Sequence, residues 1–429
     1  MHYPQSYQRF LEQDAKVFTD TRKPLKDGIF IALSGPNFNG NKYALEALDQ
    51  GASFAIVDQK TIDDPRLILV ENTLKELQRM ASIHRKRSKA KIIAITGSNG
   101  KTTTKELSFS IFSLAFKTLA TEGNLNNHIG VPLTLLKIKE DTEFLILEMG
   151  ANHPGNISEL CNIAEPDSGL ITNIGKAHLE GFGSFEGVRK TKLELFDFLK
   201  LNGGIRFCNM YSDVLKEYAA HEPNVIGYGS QSEDLDFTAK LIHSFPEIAM
   251  EFYNKLMPIE IHSKLFGEYN FQNIVAACTL ACFYKVPERF IQEGIAAYIP
   301  NNMRSQILKI YSNTIILDAY NANPSSMKQA IQAFNQMDFK NKWTILGEMA
   351  ELGIYAEEEH NLLVNQLSKL DIQRCIFIGA QYHLNEIDSK NLHFANAESC
   401  RAWLEKNWPS DTGILIKGSR AAGLERLLD

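Results

Sequence analysis

Short apolar, β-branched runs recur along this chain, and most are followed by a glycine or polar turn and then by a segment with helical spacing. In residues 1–88 the runs are 28–33, 53–57 and 67–70. Residues 43–50 read as a helix that stops at Gly51, and the polar segment 73–87 as a longer one. From 89 to 302 the runs are 91–96, 143–148, 169–174 and 204–209. Such alternation predicts a mainly parallel sheet with helices on both faces. Residues 237–266 break the rhythm. Short pieces at 250–253 and 258–262 predict a small antiparallel section, a helix follows over 270–284, and Pro287 starts another. Pro300, Asn301 and Asn302, leading to Met303, read as a hinge. In 303–429 the runs 314–318, 343–346, 374–378 and 413–416 predict an open parallel, Rossmann-like sheet. Its ligand-facing strand ends would be Asp318, Gly347, Glu348, Gly379, Lys417 and Gly418. The expected fold is α/β in three domains: a small N-terminal one (1–88), a central P-loop-type one (89–302) and a C-terminal one (303–429).

Composition narrows the class. A single core rarely exceeds about 250–300 residues, so 429 residues require more than one. Hydrophobic content of 44% and charged content of 22% are ordinary for a water-soluble globular chain. The net charge of −6 gives no basic field for nucleic acid. The one concentrated basic stretch, 84–91, reads as a solvated linker before the run at 91. Six cysteines form no C-x-x-C pair, and Cys278 and Cys282 lie one helical turn apart among alanines. Without zinc spacing or a disulfide framework, a reducing cytoplasm is expected. The first ten residues lack a basic segment before an apolar core, and no stretch of about 18 apolar residues exists, so neither a signal peptide nor a membrane span is expected.

The most informative segment is K-I-I-A-I-T-G-S-N-G-K-T-T-T-K, residues 91–105. An apolar strand enters a glycine turn (Gly97, Ser98, Asn99, Gly100), then Lys101, Thr102 and Thr103 open an amphipathic segment over 106–116. Backbone N–H groups converge at such a turn, the helix dipole favours negative charge, and the lysine adds a point charge. An ATP or GTP phosphate site is expected, with the Thr102 hydroxyl on Mg²⁺. Ile95 stands where the longer motif has its first glycine. Guanine reading would want N-K-x-D, whereas the chain has N-K-Y-A, N-K-L-M and N-K-W-T.

Other positions carry chemistry beside a plainer alternative. Glu148 ends the run F-L-I-L-E, where a P-loop sheet needs a Mg²⁺ ligand; otherwise it is a surface glutamate. His178, in N-I-G-K-A-H-L-E-G-F-G, is open to metal, phosphate or acid–base work. Lys190 and Lys192 follow Val188 and precede Leu195, Phe196 and Leu199; periodicity reads both lysines as a solvated face. Asn124, Asn126 and Asn127 either meet a polar ligand or form an Asx turn. Asn270 and Asn273 open a helix, where one is a candidate N-cap. Asp318, in D-A-Y-N-A-N-P-S-S-M, suits ribose hydroxyls or an ordinary turn.

Together these segments resemble the Mur ligase family of ATP-dependent amide-forming enzymes, over essentially the whole chain. The short loop T-G-S-N-G-K-T-T-T, then L-E-M-G, N-I-G-K-A-H-L, the K-x-K-x-E helix, G-E-Y-N-F-Q-N, M-R and K-G-S-R follow the family's order. G-N-L-N-N-H-I-G-V-P-L-T-L-L and D-A-Y-N-A-N-P-S-S-M are similar to signatures of the member that joins D-alanyl-D-alanine to UDP-N-acetylmuramoyl-tripeptide. The resemblance implies a cytoplasmic, monomeric, ADP-forming ligase of cell-wall synthesis that uses ATP and Mg²⁺. It implies that Lys101, Thr102 and Thr103 hold ATP phosphates and metal, and that Glu148 and His178 are metal ligands. Lys192 would take up CO₂ as a carbamate that helps hold a second Mg²⁺, against the periodicity reading. Asn270 and Asn273 would lie around adenine, and Arg304 and Asp318 at phosphate and ribose. Asn126, Asn127, Asn321 and Asn323 would line the substrate site. Asp20, Thr21 and Arg22, with the region of Asn39 and Asn41, would hold the UDP-sugar.

Overall fold

A computed structural model describes the chain except for residues 1–2, 13–15, 23–25, 61–62, 223, 232–234, 255–257, 302, 383–389 and 429. Asn302 of the expected hinge therefore lies outside the described residues. The chain divides into two compact units: residues 1–94, 116–151 and 156–168 form one, and 95–115, 152–155 and 169–429 the other.

In the first unit a parallel sheet has the order Val17–Phe18, Ile29–Ile31, Phe54–Val57, Leu67–Leu69. Phe30, Ala32, Ala55 and Val57 pack with Ala44, Ala47 and Leu48 of the helix Ala44–Asp49. That helix begins later than expected because residues Gly40–Tyr43 wind as a 3₁₀ turn, capped by the Asn39 side chain. Thr73–Arg87 is helical, as its period predicts, and Asn72 caps it through the Lys75 N–H. Its basic end is not a solvated linker. Arg85 donates to the Ala164 and Glu165 carbonyls at 2.9 Å each and pairs with Asp167, so the guanidinium ties the helix to its own unit. The strand Phe144–Glu148 is buried throughout and lies parallel to Thr118–Ala120.

The strand Lys91–Thr96 is divided between the units. Its start belongs to the first, where the Lys91 N–H donates to the Glu143 carbonyl at 2.9 Å; its end belongs to the second, where Thr96 accepts from the Thr172 N–H at 2.9 Å. The helix after the loop runs Lys101–Phe112, not 106–116, because Thr102, Thr103 and Thr104 are buried in its first turn and begin it. In the second unit Ile205–Asn209, Val225–Ser230 and Phe237–His243 run parallel, and Ile248–Tyr253 and Pro258–Ser263 add antiparallel strands, as the broken rhythm predicts. The helix Glu268–Phe283 is buried on nearly every side.

The C-terminal sheet has the order Gln306–Ile310, Asn313–Asp318, Thr412–Lys417, Asn341–Gly347, Arg374–Ile378, Asn391–Phe394. Its middle strands are parallel, but Gln306–Ile310 is antiparallel and forms one edge. The expectation of an all-parallel sheet missed both edge strands. Gln306–Ile310 is only partly buried and Asn391–Phe394 has four residues, so neither shows a continuous apolar run. Ile315, Ile345, Ile376, Ile414 and Ile416 bury one face against Cys400 and Leu404. Among the described residues no helix is long and apolar enough to cross a membrane, and none of the six cysteines is joined in a disulfide.

Candidate active site

The glycine turn is built by close approach. Gly97 has φ +144° and a Cβ there would lie 2.0 Å from Thr172 Oγ1; Gly100 has φ +79° and its Cβ would lie 2.3 Å from Asn273 Oδ1. Side chains pay a steric penalty at such φ, so both positions require glycine. The turn is fixed from outside. Ser98 and Asn99 donate their N–H groups to the carbonyl and side-chain oxygens of Asn173 at 3.0 Å, and Thr172 Oγ1 donates to the Asn99 carbonyl at 2.6 Å. The Lys101 ammonium lies over the loop, 2.7 Å from the Gly97 carbonyl. The rigid turn opens a twelve-residue helix with no side-chain cap from Gly100, the arrangement that suits a phosphate.

From Gly100 a chain of hydrogen bonds leads to the C-terminal sheet. Asn273 Nδ2 donates to Asn270 Oδ1 at 3.1 Å, and Asn270 Nδ2 donates to Ser305 Oγ at 3.2 Å. The Ser305 N–H donates to Asp318 Oδ1 at 3.2 Å. Lys417 Nζ pairs with Asp318 Oδ2 at 2.6 Å, because the two strand ends are aligned partners. The two asparagines thus lie inside the helix packing, where Asn270 also bonds the Phe266 carbonyl at 2.9 Å. Neither caps the helix, whose N-cap is Gly267.

The turn after Asp318 meets the glycine turn directly. Asn323 Nδ2 donates to Asn99 Oδ1 at 2.8 Å, while Asn323 Oδ1 caps the helix Pro324–Asn335 through the Ser326 N–H. Asn321 closes its own turn onto the Ala322 N–H at 2.9 Å. The Arg304 guanidinium stacks 3.8 Å from the Tyr320 ring centroid, and Arg420 lies 5.7 Å from the same ring.

His178 has φ +51° and precedes the short helix Leu179–Phe182. Its Nδ1 lies against the Glu351 carboxylate. That contact holds the Glu351 carboxyl below the usual range. Lys192 corrects the periodicity reading: it is 1% exposed, whereas Lys190 is exposed. It falls four residues after Val188 and three before Leu195, so it shares the buried stripe of Phe185–Leu201. Its ammonium lies 5.5 Å from the Phe182 ring, and among the described residues it pairs with no carboxylate. Burial, and secondarily the Lys101 charge, push its pKa well below that of a free lysine.

In the first unit Glu148 is 2% exposed, so the surface alternative fails. Asn126 Nδ2 donates to Glu148 Oε1 at 2.7 Å, and the Gly150 N–H returns to the Asn126 carbonyl at 2.8 Å. Asn127 Oδ1 instead accepts from the N–H groups of Ile129 and Gly130, an Asx turn. Asn41 is buried among Asn39 and Asp58, donating to Asp58 Oδ1 at 2.7 Å. Asp20 and Arg22 form a local fork at 2.9 and 2.8 Å on the surface, beside Thr21. Reading along the chain missed Thr172, Asn173, Ser305, Tyr320 and Glu351. Asn173 follows a strand end within N-I-G-K, and Tyr320 lies within D-A-Y-N-A-N-P, so both stood inside segments already quoted. Glu351 has φ +61°, which nothing local in M-A-E-L-G announces.

Among the described residues no three metal-ligating side chains are already gathered. Taken singly, the buried Glu148 carboxylate of the first unit and the Thr102 hydroxyl of the second are oxygen donors of the kind hard cations take.

Comparisons with known proteins bear on the family of the chain. Residues 95–281 match the family model of the Mur ligase middle domain, and 303–420 that of the Mur ligase glutamate ligase domain. The UDP-N-acetylmuramoyl-tripeptide–D-alanyl-D-alanine ligase of Bacillus subtilis is 32% identical over 96% of this chain and 92% of its own length. A crystal structure of MurF from Acinetobacter baumannii is 27% identical, covers 98% of this chain and 97% of that one, and superposes with a TM-score of 0.86. MurF ligase from Thermotoga maritima in complex with ADP is 27% identical over 96% of each chain, with a TM-score of 0.83.

Proposed function

This chain belongs to the Mur ligase family, and from that premise we propose that it joins D-alanyl-D-alanine to UDP-N-acetylmuramoyl-tripeptide in an ATP-dependent, ADP-forming reaction of peptidoglycan synthesis. The observation that carries this reading is the Asn323–Asn99 bond, which sets the D-A-Y-N-A-N-P turn of the C-terminal sheet on the glycine loop. A carboxylate is a poor acyl donor because it is anionic and lacks a leaving group. Phosphorylation by ATP gives an acyl-phosphate and ADP; the dipeptide amine then attacks the carbonyl, and phosphate departs.

Two anions meet in the first step, so fixed cations and dipoles must offset their repulsion. Lys101 and the N-terminus of its helix hold the phosphates, with Thr102 and Thr103 beside them. Arg304, held flat on Tyr320, reaches the transferred group, and Asp318 receives the ribose. Mg²⁺ would supply further neutralisation; Thr102, His178 and modified Lys192 of the second unit would hold it, and Glu148 would be the first unit's carboxylate for that role. A nucleophile for CO₂ must be a neutral amine, and the buried, charge-repelled Lys192 fits: its nitrogen bonds the carbon, loses a proton and becomes an anionic carbamate. Asn126, which steadies Glu148, and Asn127 would be the first unit's substrate contacts, and Asn321 and Asn323 those of the second. Asp20, Thr21 and Arg22 meet the UDP-sugar. The protein works as a monomer in the cytoplasm, where ATP and UDP-sugars are supplied, and closing of the C-terminal sheet over the glycine loop would exclude water from the acyl-phosphate.

The test is a substrate panel read by product mass. UDP-N-acetylmuramoyl-tripeptide with D-alanyl-D-alanine and ATP should yield ADP and a product heavier by the dipeptide residue. Activity with folate and glutamate, and none with the muramoyl substrate, would overturn the reading.

A further inference from the structure

The dipeptide Gly175-Lys176 is gripped from two sides. On one side the Gly175 N–H donates to Ser98 Oγ at 2.9 Å, and Ser98 Oγ donates to the Gly175 carbonyl at 3.0 Å. On the other the Lys176 N–H donates to Ser325 Oγ at 3.0 Å, and a Cβ on Gly175 would lie 2.8 Å from that same oxygen. The Lys176 ammonium then reaches Glu359 Oε1 at 2.5 Å. The Glu359 side chain is only 8% exposed, in the first turn of the helix Ala356–Leu367, whereas the Lys176 side chain is half exposed. A nearly buried carboxylate needs a partner charge, and the helix N-terminus supplies only part of it. The turn that leads into this helix continues along the loop: the Glu180 N–H donates to the Glu351 carbonyl at 3.1 Å, and Tyr355 Oη donates to the Gly183 carbonyl at 3.3 Å.

We propose that Lys176 and Glu359 are positioning residues, an ion-pair latch by which docking of the C-terminal sheet fixes the 175–183 loop and hence the placement of His178. The inference rests on the ligase reading for its purpose, but the latch itself is a statement about loop order. Neither side chain belongs to the proposed phosphate, metal or substrate contacts. Opening the sheet would leave Glu359 without its cation and Lys176 without two of its anchors. The loop then loses its grip from one side while Ser98 still holds the other.

The experiment measures amide hydrogen exchange in the unliganded full-length protein, for wild type, Lys176→Glu, Glu359→Lys and the double reversal. Exchange at the Lys176 amide and through residues 175–183 should rise about tenfold in each single variant and return to within about twofold of wild type in the double. Turnover should follow the same pattern, with kcat falling about tenfold or more and ATP affinity unchanged. If Glu359→Lys does not fold, Glu359→Gln carries the test, and it should show the same direction with a smaller rise. Unchanged exchange in both single variants overturns the latch. So does a double variant no better than the worse single, or a loss confined to the Lys176 variant, which would make that lysine a direct ligand contact. A wild-type protein that protects the loop but makes no dipeptide product would instead overturn the proposed reaction and leave the latch standing.

Discussion

Asn323 donates its side-chain amide to the side-chain oxygen of Asn99 at 2.8 Å, and with its own oxygen caps the helix Pro324–Asn335. One residue therefore both ends the D-A-Y-N-A-N-P turn and fastens it to the glycine loop. The two duties are separable. Asn323→Ser keeps a good cap and loses the amide donor, so the melting temperature should change by no more than about the equivalent of 0.5 kcal/mol while KM for ATP rises severalfold. Asn323→Ala loses the cap too and should cost about 1 kcal/mol more. Calorimetry beside steady-state kinetics checks both, and equal KM values for wild type and Asn323→Ser would contradict the fastening role.

Gly100→Ala tests the loop's geometry. The new Cβ would sit 2.3 Å from Asn273 Oδ1 at φ +79°. Strain of about 1–3 kcal/mol is expected from the backbone alone, with nucleotide binding weakened at least tenfold in equilibrium titration. Combining it with Asn273→Ala removes the collision but not the φ penalty, so the double variant should regain part of the stability and stay below wild type.

The Lys417–Asp318 pair is nearly closed from solvent, with side-chain exposures of 2% and 17%. Lys417→Met leaves Asp318 facing the Ser305 N–H without its cation. Removing one partner of a buried pair costs about 3–5 kcal/mol. The loss should appear as a lowered urea midpoint with an unchanged slope, and a cost below about 1 kcal/mol would show the pair to be solvated.

Tyr320 is the platform for Arg304 at 3.8 Å. Stacking of a guanidinium on an aromatic ring is worth about 0.5–2 kcal/mol. Tyr320→Phe keeps the ring and should keep kcat/KM for ATP within about twofold. Tyr320→Ala should lower it by about fivefold or more, and equal effects from both variants would assign the role to the hydroxyl instead.

Lys192 makes stability depend on pH. An unfolded chain keeps this lysine protonated up to about 10.4, whereas burial holds it neutral in the folded chain well below that value. Between the two values the unfolded state binds the extra proton, so wild-type stability rises with pH through that window. Lys192→Met removes the effect. In CO₂-free buffer the variant's gain over wild type should be larger at lower pH and shrink toward about pH 10. A gap independent of pH would mean that the amine is charged in the folded protein.

Local patterns carried most of the strands and helices because they were strongly periodic. Thr73–Arg87, Lys91–Thr96 and Arg374–Ile378 have the bounds their patterns predict. Edge strands such as Gln306–Ile310 escaped because half-exposed positions carry no continuous apolar run. The glycine loop was legible because its residues are consecutive and each serves the same turn. Lys192 was misread by period alone: a charged side chain on a buried stripe violates the usual pattern, and only the family likeness pointed inward. Glu351 and Glu359 were illegible for another reason. Their partners, His178 and Lys176, lie far away in sequence, and no local rule couples such positions.

The central claim is that the tripeptide carboxyl is activated by transfer of ATP's terminal phosphoryl group. Tripeptide substrate labelled with ¹⁸O in its terminal carboxylate, turned over with ATP and D-alanyl-D-alanine, should pass one labelled oxygen into each inorganic phosphate released, read by mass spectrometry. Phosphate free of label, alongside normal formation of the dipeptide-extended product, would contradict the account.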